Sequence, residues 1–231
     1  MSENIKKITK AFKVDLDSRE NQNILKPSTR PFNNQAHQVD EVVKKIYELI
    51  EDAKHSNDDI ILNHNKIKKA FFSPFKPQLK SAQVFLSHSH ADKNKALKVK
   101  NYLESRTKHK VFVDSLFWDY KDNVLNELAK YDDTSKIKDA FTLILRESLQ
   151  DMIEKCPYFV FLQSNNSVSN QGLSRTTYSA WIYEELKIAH SIRESRLTPM
   201  TESWQVSHDI SPFLESLETI TLKELSRIIN S

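Results

Sequence analysis

Short apolar runs alternate with amphipathic stretches over the C-terminal two-thirds of the chain, and this alternation restricts the possible folds more than any other feature. The runs are typical of buried strands, and the stretches between them carry apolar residues at helical spacing. The predicted strands are residues 83–87, 111–114, 158–163, 197–200 and 218–222. Because strands that alternate with helices form parallel sheets, the sequence predicts an α/β domain. Ligand sites in such domains lie at the C-terminal ends of strands, here after Ser87, Asp114 and Gln163.

The segments between these strands are predicted as helices and loops. Ser89 to Asp92 have the residues of a capping box and predict a helix that runs to about Arg106. Amphipathic periodicity predicts three further helices, over residues 137–153, 177–192 and 223–230. Residues 115–120 are predicted as a loop rich in aromatic side chains, and residues 164–176 as a polar loop.

The N-terminal part of the chain has a different character. Residues 1–36 are polar, contain prolines and show no sustained apolar period, which predicts a loosely ordered arm. Helical spacing then predicts a helix over residues 36–54 and a weaker one over about 59–71.

A proline-containing segment at residues 73–77 marks a boundary near residue 80. We therefore expect two parts. Residues 1–80 form an arm with a helical extension, and residues 81–231 form the α/β domain.

Composition narrows the class of protein. The chain has 231 residues, 39% of them hydrophobic, so it can bury a substantial core. Its 34 basic and 31 acidic residues leave a net charge of +3, which argues neither for nor against nucleic acid, and we expect no nucleic-acid partner. Cys156 is the only cysteine, so a disulfide within the chain is impossible and a reducing compartment is indicated. Since no apolar run is long enough to span a membrane, we expect a cytoplasmic protein without membrane contact.

The single glycine, Gly172, excludes two common ways of binding phosphate. Both the Walker loop and the dinucleotide-binding G-x-G-x-x-G turn need several glycines. No spacing of cysteine and histidine resembles a zinc site either. We therefore expect neither a bound cofactor nor a metal ion.

The segment His88-x-His90-x-Asp92 follows an apolar strand and is similar to a metal-binding motif of the metallo-β-lactamases. That family would have a further histidine where Lys93 stands, and a glycine-rich β-sandwich around the motif. The alternation of helices and strands argues against it. In the simpler interpretation the histidines lie in a strand-to-helix loop and Asp92 caps the helix.

Two segments resemble the Toll/interleukin-1 receptor (TIR) domain family. Residues 84–92 are similar to the opening strand and loop of that domain, and residues 179–186 match its S-x-W-x-x-x-E pattern on the helix after the third strand. The resemblance covers about residues 80–231. It implies a flavodoxin-like, five-stranded parallel sheet with helices on both faces. It also implies one of two functions, which are assembly of signalling complexes and cleavage of NAD⁺ between nicotinamide and ribose.

Glu185 stands where the family has its catalytic glutamate, although most glutamates on helices are merely solvated. Nicotinamide leaves NAD⁺ as a neutral molecule, so the reaction needs stabilisation of positive charge on the ribose rather than a general acid. One carboxylate suffices for that task. Glu184 points about 100° away around the helix and cannot play the same part.

The resemblance suggests further substrate-binding residues. Trp181 lies one turn before Glu185 on the same face, as a wall of the pocket or as a core residue. Ser179 either bonds near the carboxylate or lies in the first turn of the helix. Ser87, His88 and Ser89 would lie beside the nucleotide, or form an exposed polar loop.

Phe117 and Trp118 stand in the aromatic segment after the second strand, where the family has a mobile loop that lines the pocket or mediates self-association. They form either a recognition surface or a buried plug. The stretch that follows, up to Asp139, is longer than a compact TIR-like domain needs.

These observations favour an NAD⁺ glycohydrolase, or a cyclase, with NAD⁺ as its substrate. The resemblance implies activation by homo-oligomerisation through TIR–TIR contacts, an activating partner or downstream effector, and a role in antiphage defence or cell-death signalling. A non-enzymatic TIR scaffold or adaptor is the alternative, in which Glu185 is dispensable. A third hypothesis is a different flavodoxin-like hydrolase that acts on nucleotides.

Overall fold

A computed structural model of the chain describes residues 10–25, 39–54, 63–73, 81–130, 135–169, 175–194 and 208–231. The chain divides into two compact units. The first contains Met1–Phe32, Ser81–Ser115 and Gln150–Ser231, and the second contains Asn33–Lys80 and Leu116–Leu149. This division differs from the predicted boundary near residue 80, because the N-terminal segment belongs with the α/β part.

The first unit is built on a parallel sheet. The strands of the described residues are β1 (Lys10–Asp15), β2 (Ala82–His88), β3 (Lys110–Val113), β4 (Tyr158–Gln163), β5 (Thr176–Thr177), β6 (His208–Asp209) and β7 (Glu218–Thr219). Five of them form one sheet in the order β3-β2-β4-β1-β7, and every described pairing in it is parallel. β5 and β6 pair antiparallel. The predicted five-stranded parallel α/β architecture is confirmed.

Helices follow the strands. They are α1 (Arg19–Ile24), α2 (Val39–Lys54), α3 (His64–Phe72), α4 (Lys93–Thr107), α5 (Asp114–Leu128), α6 (Ser135–Lys155), α7 (Ala180–Glu194), α8 (Ser211–Glu215) and α9 (Leu222–Asn230). A short 3₁₀ turn, His90–Asp92, precedes α4. Among the described residues, no helix has both the length and the apolar character needed to cross a membrane.

The predicted strands β2, β3, β4 and β7 are confirmed where residues are described, and residues 197–200 lie outside that part. In β2 the run Val84, Phe85 and Leu86 is wholly buried, as an interior strand covered on both faces requires. β2 pairs with β4 from Val84, which lies opposite Tyr158, to His88, which lies opposite Leu162. Consequently the last residues of β2 lie at the C-terminal edge of the sheet.

The prediction of a loosely ordered arm is wrong for residues 10–15. They form β1, which pairs with β4 from Lys10 opposite Tyr158 to Asp15 opposite Gln163. Phe12 and Val14 are buried, so the segment supplies core side chains as well as backbone bonds. Residues 10–15 are therefore part of the sheet.

Two local predictions also differ from the structure. Residues 115–120, expected to be a loop, lie in α5, because the helix begins directly after β3 at Asp114. The expected capping box at Ser89 does not form, since the side chain of Ser89 makes no cap bond and a 3₁₀ turn intervenes. The predicted helices correspond to α4, α6, α7 and α9, whose ends differ from the predicted ones by at most four residues.

The second unit has an aromatic centre around Phe71, which is fully buried. The ring of Phe71 makes edge-to-face contacts with Phe72, Tyr120 and Phe141, at centroid distances of 5.4, 5.2 and 5.8 Å. The Tyr120 hydroxyl donates to the Phe71 carbonyl at 3.2 Å. Burial raises the pKa of this phenol. The helices predicted near residues 36–54 and 59–71 are α2 and α3.

Candidate functional site

Glu185 and Ser87 meet at the C-terminal end of β2. Both are 0% exposed, and the Ser87 hydroxyl donates to Glu185 Oε2 at 2.5 Å. Ser87 follows the buried run of β2, and Glu185 lies on the second turn of α7. The contact joins the two segments that carry the TIR resemblance, which are 98 residues apart in sequence. A charge-assisted bond of this kind fixes the position of the carboxylate.

His88 and Asp114 form a second buried pair next to Ser87. Asp114 follows β3 directly, so the two residues stand at neighbouring strand ends. His88 Nε2 is 2.8 Å from Asp114 Oδ1, and the His88 backbone N–H donates to Oδ2 at 3.4 Å. Asp114 Oδ1 also accepts the backbone N–H of Ser115 at 2.6 Å. Asp114 therefore holds the end of β2 in place.

The surroundings of His88 favour its protonated form. Its Nδ1 lies 2.6 Å from the carbonyl oxygen of Ser89 and its Nε2 lies 2.8 Å from Asp114 Oδ1, so each ring nitrogen has an oxygen close by. Burial acts most strongly on the pKa of His88 and would lower it, but the charge and bond of Asp114, the bond to Ser89 and the charge of Asp92 outweigh burial. The pKa is consequently raised above 6.5. These contacts favour the charged imidazolium of His88 beside Asp114.

A third cluster, centred on Asp92, lies between the 3₁₀ turn and the end of β4. Asp92 Oδ2 accepts the hydroxyl of Ser164, and its Oδ1 accepts the amide of Asn166 at 3.0 Å. Lys95 Nζ is 3.4 Å from Asp92 Oδ1 and 3.0 Å from Oδ1 of Asp17. These bonds tie the ends of β1, β2 and β4 together.

Sequence reasoning missed Asp17, Ser164 and the pairing role of Asp114. The signal for Asp114 and Ser164 was present, because Asp114 ends one predicted strand and Ser164 directly follows another, and polar groups of a parallel sheet converge at these places. Asp17 carried no such signal, since the strand before it was itself not predicted.

The neighbours of Glu185 on α7 have different surroundings. Trp181, on the same face and one turn earlier, is half-buried. Ser179 precedes the helix, and its hydroxyl accepts the backbone N–H of Ile182 at 3.3 Å, as a helix cap does. Glu184 is 5% exposed. The helix thus carries two adjacent buried carboxylates.

The remaining predicted site residues fall into two groups. Ser89 is half-buried, and its carbonyl faces His88. Phe117 and Trp118 belong to the second unit, on α5, and their side chains lie outside the described residues.

The H-x-H-x-D segment does not form one cluster. His88 is buried against Asp114, His90 is exposed, and Asp92 bonds Ser164. Within the described ranges, no group of three or more histidine, cysteine, aspartate or glutamate side chains is arranged to hold a metal ion.

Comparisons of the chain with protein-family models, with curated proteins and with solved structures gave no match in any of the three.

The geometry has a defined chemical capacity. One carboxylate, Glu185, is held by a neutral hydroxyl, and a cation–carboxylate pair, His88 with Asp114, lies at the adjacent residue of β2. A carboxylate at the C-terminal edge of a parallel sheet can stabilise a developing positive charge. A buried imidazolium can in turn attract an anionic group.

Proposed function

We propose that this protein is a TIR-type NAD⁺ glycohydrolase in which Glu185 is the catalytic carboxylate. The observation that carries the proposal is the bond from Ser87 to Glu185 at the C-terminal edge of the sheet. It joins two separate segments, each of which resembles the family, at the edge where parallel sheets have their ligand sites.

In the proposed reaction the bond between nicotinamide N1 and ribose C1′ breaks, and its electron pair stays with nicotinamide. The ribose then carries positive charge, which the Glu185 carboxylate stabilises. Water attacks C1′ and loses a proton, which gives ADP-ribose. A nucleophile within the substrate would give a cyclic product instead.

The burial of Glu185 sets a condition on this chemistry. At 0% exposure the carboxylate is not accessible to a substrate in the described conformation. Catalysis therefore requires a rearrangement that opens the end of β2, in which the Ser87 hydroxyl exchanges Glu185 for another partner. Activation by homo-oligomerisation, by an activating partner or by a downstream effector, in antiphage defence or cell-death signalling in the cytoplasm, belongs to the same proposal.

The test compares wild-type protein with Glu185→Gln and Glu184→Gln. Each is incubated at high concentration with NAD⁺, with and without a crowding agent, and nicotinamide release is followed by chromatography. Glu184→Gln is the matched control, because it removes the same charge from the next position of α7 and from a site that is also buried.

We expect release by wild type and by Glu184→Gln, and a loss of at least about 100-fold in Glu185→Gln, the size typical for a lost electrostatic stabiliser. Circular dichroism must show that each variant is folded. Equal release by all three would remove Glu185 from the catalytic role, and no release by any of them would count against the enzyme.

A non-enzymatic scaffold is the second candidate, and one observation favours it. Glu185 is fully buried, whereas Tyr178, just before α7, is a large side chain with 60% exposure. An exposed tyrosine suits a protein interface. On this hypothesis Tyr178→Ala weakens self-association measured by light scattering and Glu185→Gln does not. The enzyme hypothesis predicts that Glu185→Gln loses nicotinamide release while its self-association is unchanged.

A further inference from the structure

A cleft of about 510 Å³ lies in the first unit, among α1, α4 and α9. Its lining residues are Ile24, Tyr102, Arg106, Lys223, Ser226 and Arg227. Pockets for small molecules commonly measure about 300–1,000 Å³, so the cleft has the size of a ligand site. It shares no residue with the bonded groups around Glu185 or His88.

Cations face this cleft from two helices. Tyr102 and Arg106 are four residues apart on α4, and Lys223 and Arg227 are four apart on α9, so each pair lies on one helix face. Arg106, Lys223 and Arg227 are exposed, and no ion pair of theirs is found in the part of the chain that the structure describes. The lining includes no acidic side chain.

The acidic residues nearest in sequence are engaged elsewhere. Glu104 Oε1 accepts from Lys100 Nζ at 2.8 Å, and Glu224 Oε2 accepts the backbone N–H of Thr221 at 2.9 Å. Arg227 is close enough to Glu224 to interact with its charge. Arg106 and Lys223 are therefore the least neutralised cations of the cleft.

Arg106 is partly oriented in advance. Its guanidinium carbon lies 5.9 Å from the centroid of the Tyr102 ring, and its backbone carbonyl accepts the amide of Asn230 at 3.0 Å. Contact with an aromatic ring restricts the guanidinium, whose planar fork matches the oxygens of a phosphate group. The second bond links the ends of α4 and α9.

We propose that this cleft binds a small molecule with two linked phosphate groups, of the nucleoside diphosphate class. Arg106 on α4 takes one phosphate group, and Lys223 with Arg227 on α9 takes the other. The side chains of Ile24 and Tyr102 provide apolar contact for the organic part. A nucleic-acid strand fits less well, because it needs a basic stripe that extends along its backbone, whereas the three cations here line a single cleft.

Calorimetric titration of the full chain tests the proposal with ADP, inorganic pyrophosphate and adenosine as probes. We expect ADP and pyrophosphate to bind and adenosine not to bind. Arg106→Gln and Lys223→Gln should each weaken ADP binding at least about tenfold, the cost of one lost charge-assisted bond. Lys110→Gln is the matched control, since Lys110 is an exposed cation on β3 outside the lining, and it should bind ADP as wild type does.

ADP resembles half of NAD⁺ and could also enter the proposed catalytic site, so the cleft variants decide where it binds. Unchanged ADP affinity in both Arg106→Gln and Lys223→Gln overturns the proposal. The same holds if a single-stranded oligonucleotide displaces ADP at lower concentration than pyrophosphate does. The result is independent of nicotinamide release, so failure of the proposed enzyme activity leaves this test intact.

Discussion

Strands β1 and β2 occupy equivalent interior places in the sheet, yet only β2 is evident from the sequence. Each pairs with β4 on one side and with an edge strand on the other. Each buries a phenylalanine, Phe12 at 1% exposure and Phe85 at 0%. The two strands differ in the residues next to that phenylalanine in the sequence. β2 has an unbroken apolar run, whereas β1 has Lys13 beside Phe12.

Lys13 explains how a strand of mixed composition can be buried. It is 8% exposed, and its ammonium group donates to the Leu214 carbonyl at 3.2 Å. Burial foremost, and then the charge of Arg175, lower the pKa of Lys13. A long side chain that reaches a carbonyl lets the backbone run through the sheet interior. Local hydrophobicity therefore underestimates the contribution of such a strand.

The largest predicted effect tests whether the two strands are energetically equivalent. Phe12→Ala and Phe85→Ala should each lower the free energy of unfolding by about 3–5 kcal/mol, because each leaves a cavity in the core. Urea denaturation measures both. Leu143→Ala is the control, since Leu143 is 51% exposed and should change stability by less than about 0.5 kcal/mol. A small loss for Phe12→Ala beside a large one for Phe85→Ala would mean that β1 is only loosely attached.

Cys156 offers an independent measure of the same comparison, because it precedes β4, the strand that both β1 and β2 contact. It is fully buried, and burial raises the pKa of its thiol to about 12. The thiol should therefore react with an alkylating reagent only after opening of the sheet. Phe12→Ala and Phe85→Ala should accelerate labelling to similar extents. Acceleration by Phe85→Ala alone would again separate the two strands.

The sheet order shows how far the sequence could lead. Numbered from β2, the C-terminal strands have the flavodoxin-like order of second, first and third, and β7 stands at the far edge. β1 occupies the fourth place between them. Apolar runs were sufficient for β2, β3 and β4, which contain unbroken stretches of buried apolar residues. Both residues of β7 are exposed, and its signal came from the buried Ile220 and Leu222 that follow it. Apolar runs were insufficient for β1, whose pairing with β4 spans most of the chain.

The candidate site, like the sheet, could be predicted only in part from the sequence. Short motifs placed Ser87 and Glu185 in one hypothesis, and their hydroxyl–carboxylate bond is a geometric fact. The partners of His88 and Asp92 depend on which strand ends are neighbours, which is a property of the sheet order. The ion pair of Asp17 with Lys95 depends on the position of β1 in the sheet. Residues brought together by topology carry no mutual signal in a single sequence.

The next prediction compares the bonds at the ends of the two strands, beginning with β2. Asp114→Asn should lower the free energy of unfolding by about 3 kcal/mol at about pH 6, because it leaves the buried imidazolium of His88 without its counter-charge. Thermal and urea denaturation measure the change. Glu218→Gln is a control, as it removes an exposed carboxylate from β7. A loss as small as that of the control would show that His88 is neutral in the folded protein.

The pH dependence should identify His88 as the source of that effect. Its pKa is higher in the folded protein than the ordinary 6.5, so its stabilising contribution is complete below about pH 6.5 and is lost as the pH rises through the folded pKa. Each unit of increase is worth roughly 1.4 kcal/mol. The stability difference between wild type and Asp114→Asn should therefore shrink from about pH 6 to about pH 9. A difference that grows over this range would contradict the assignment.

The smallest predicted effect is at the end of β1. Asp17 and Lys95 form an ion pair at 3.0 Å, but their side chains are 30% and 42% exposed, so solvent screens the attraction. Burial is the largest influence on the pKa of Asp17 and would raise it, yet the backbone N–H of Asn165 and the bond and charge of Lys95 together lower it. A depressed pKa contributes stability above about pH 4 that is lost as the pH falls through the folded value. Asp17→Asn should therefore cost less than about 1 kcal/mol at neutral pH and nothing in strong acid.

Denaturation with urea at about pH 7 and about pH 3 measures this change, with Glu215→Gln as the control for loss of an exposed carboxylate. The pH trend is the reverse of the one expected at His88, so the two strand ends should lose stability in opposite directions from neutral pH. A loss of stability for Asp17→Asn as large as that for Asp114→Asn would mean that water is excluded from the end of β1 as fully as from the end of β2. In that case the cluster of Asp17, Lys95 and Asp92 would rank with the His88 pair in holding the edge of the sheet where Glu185 lies.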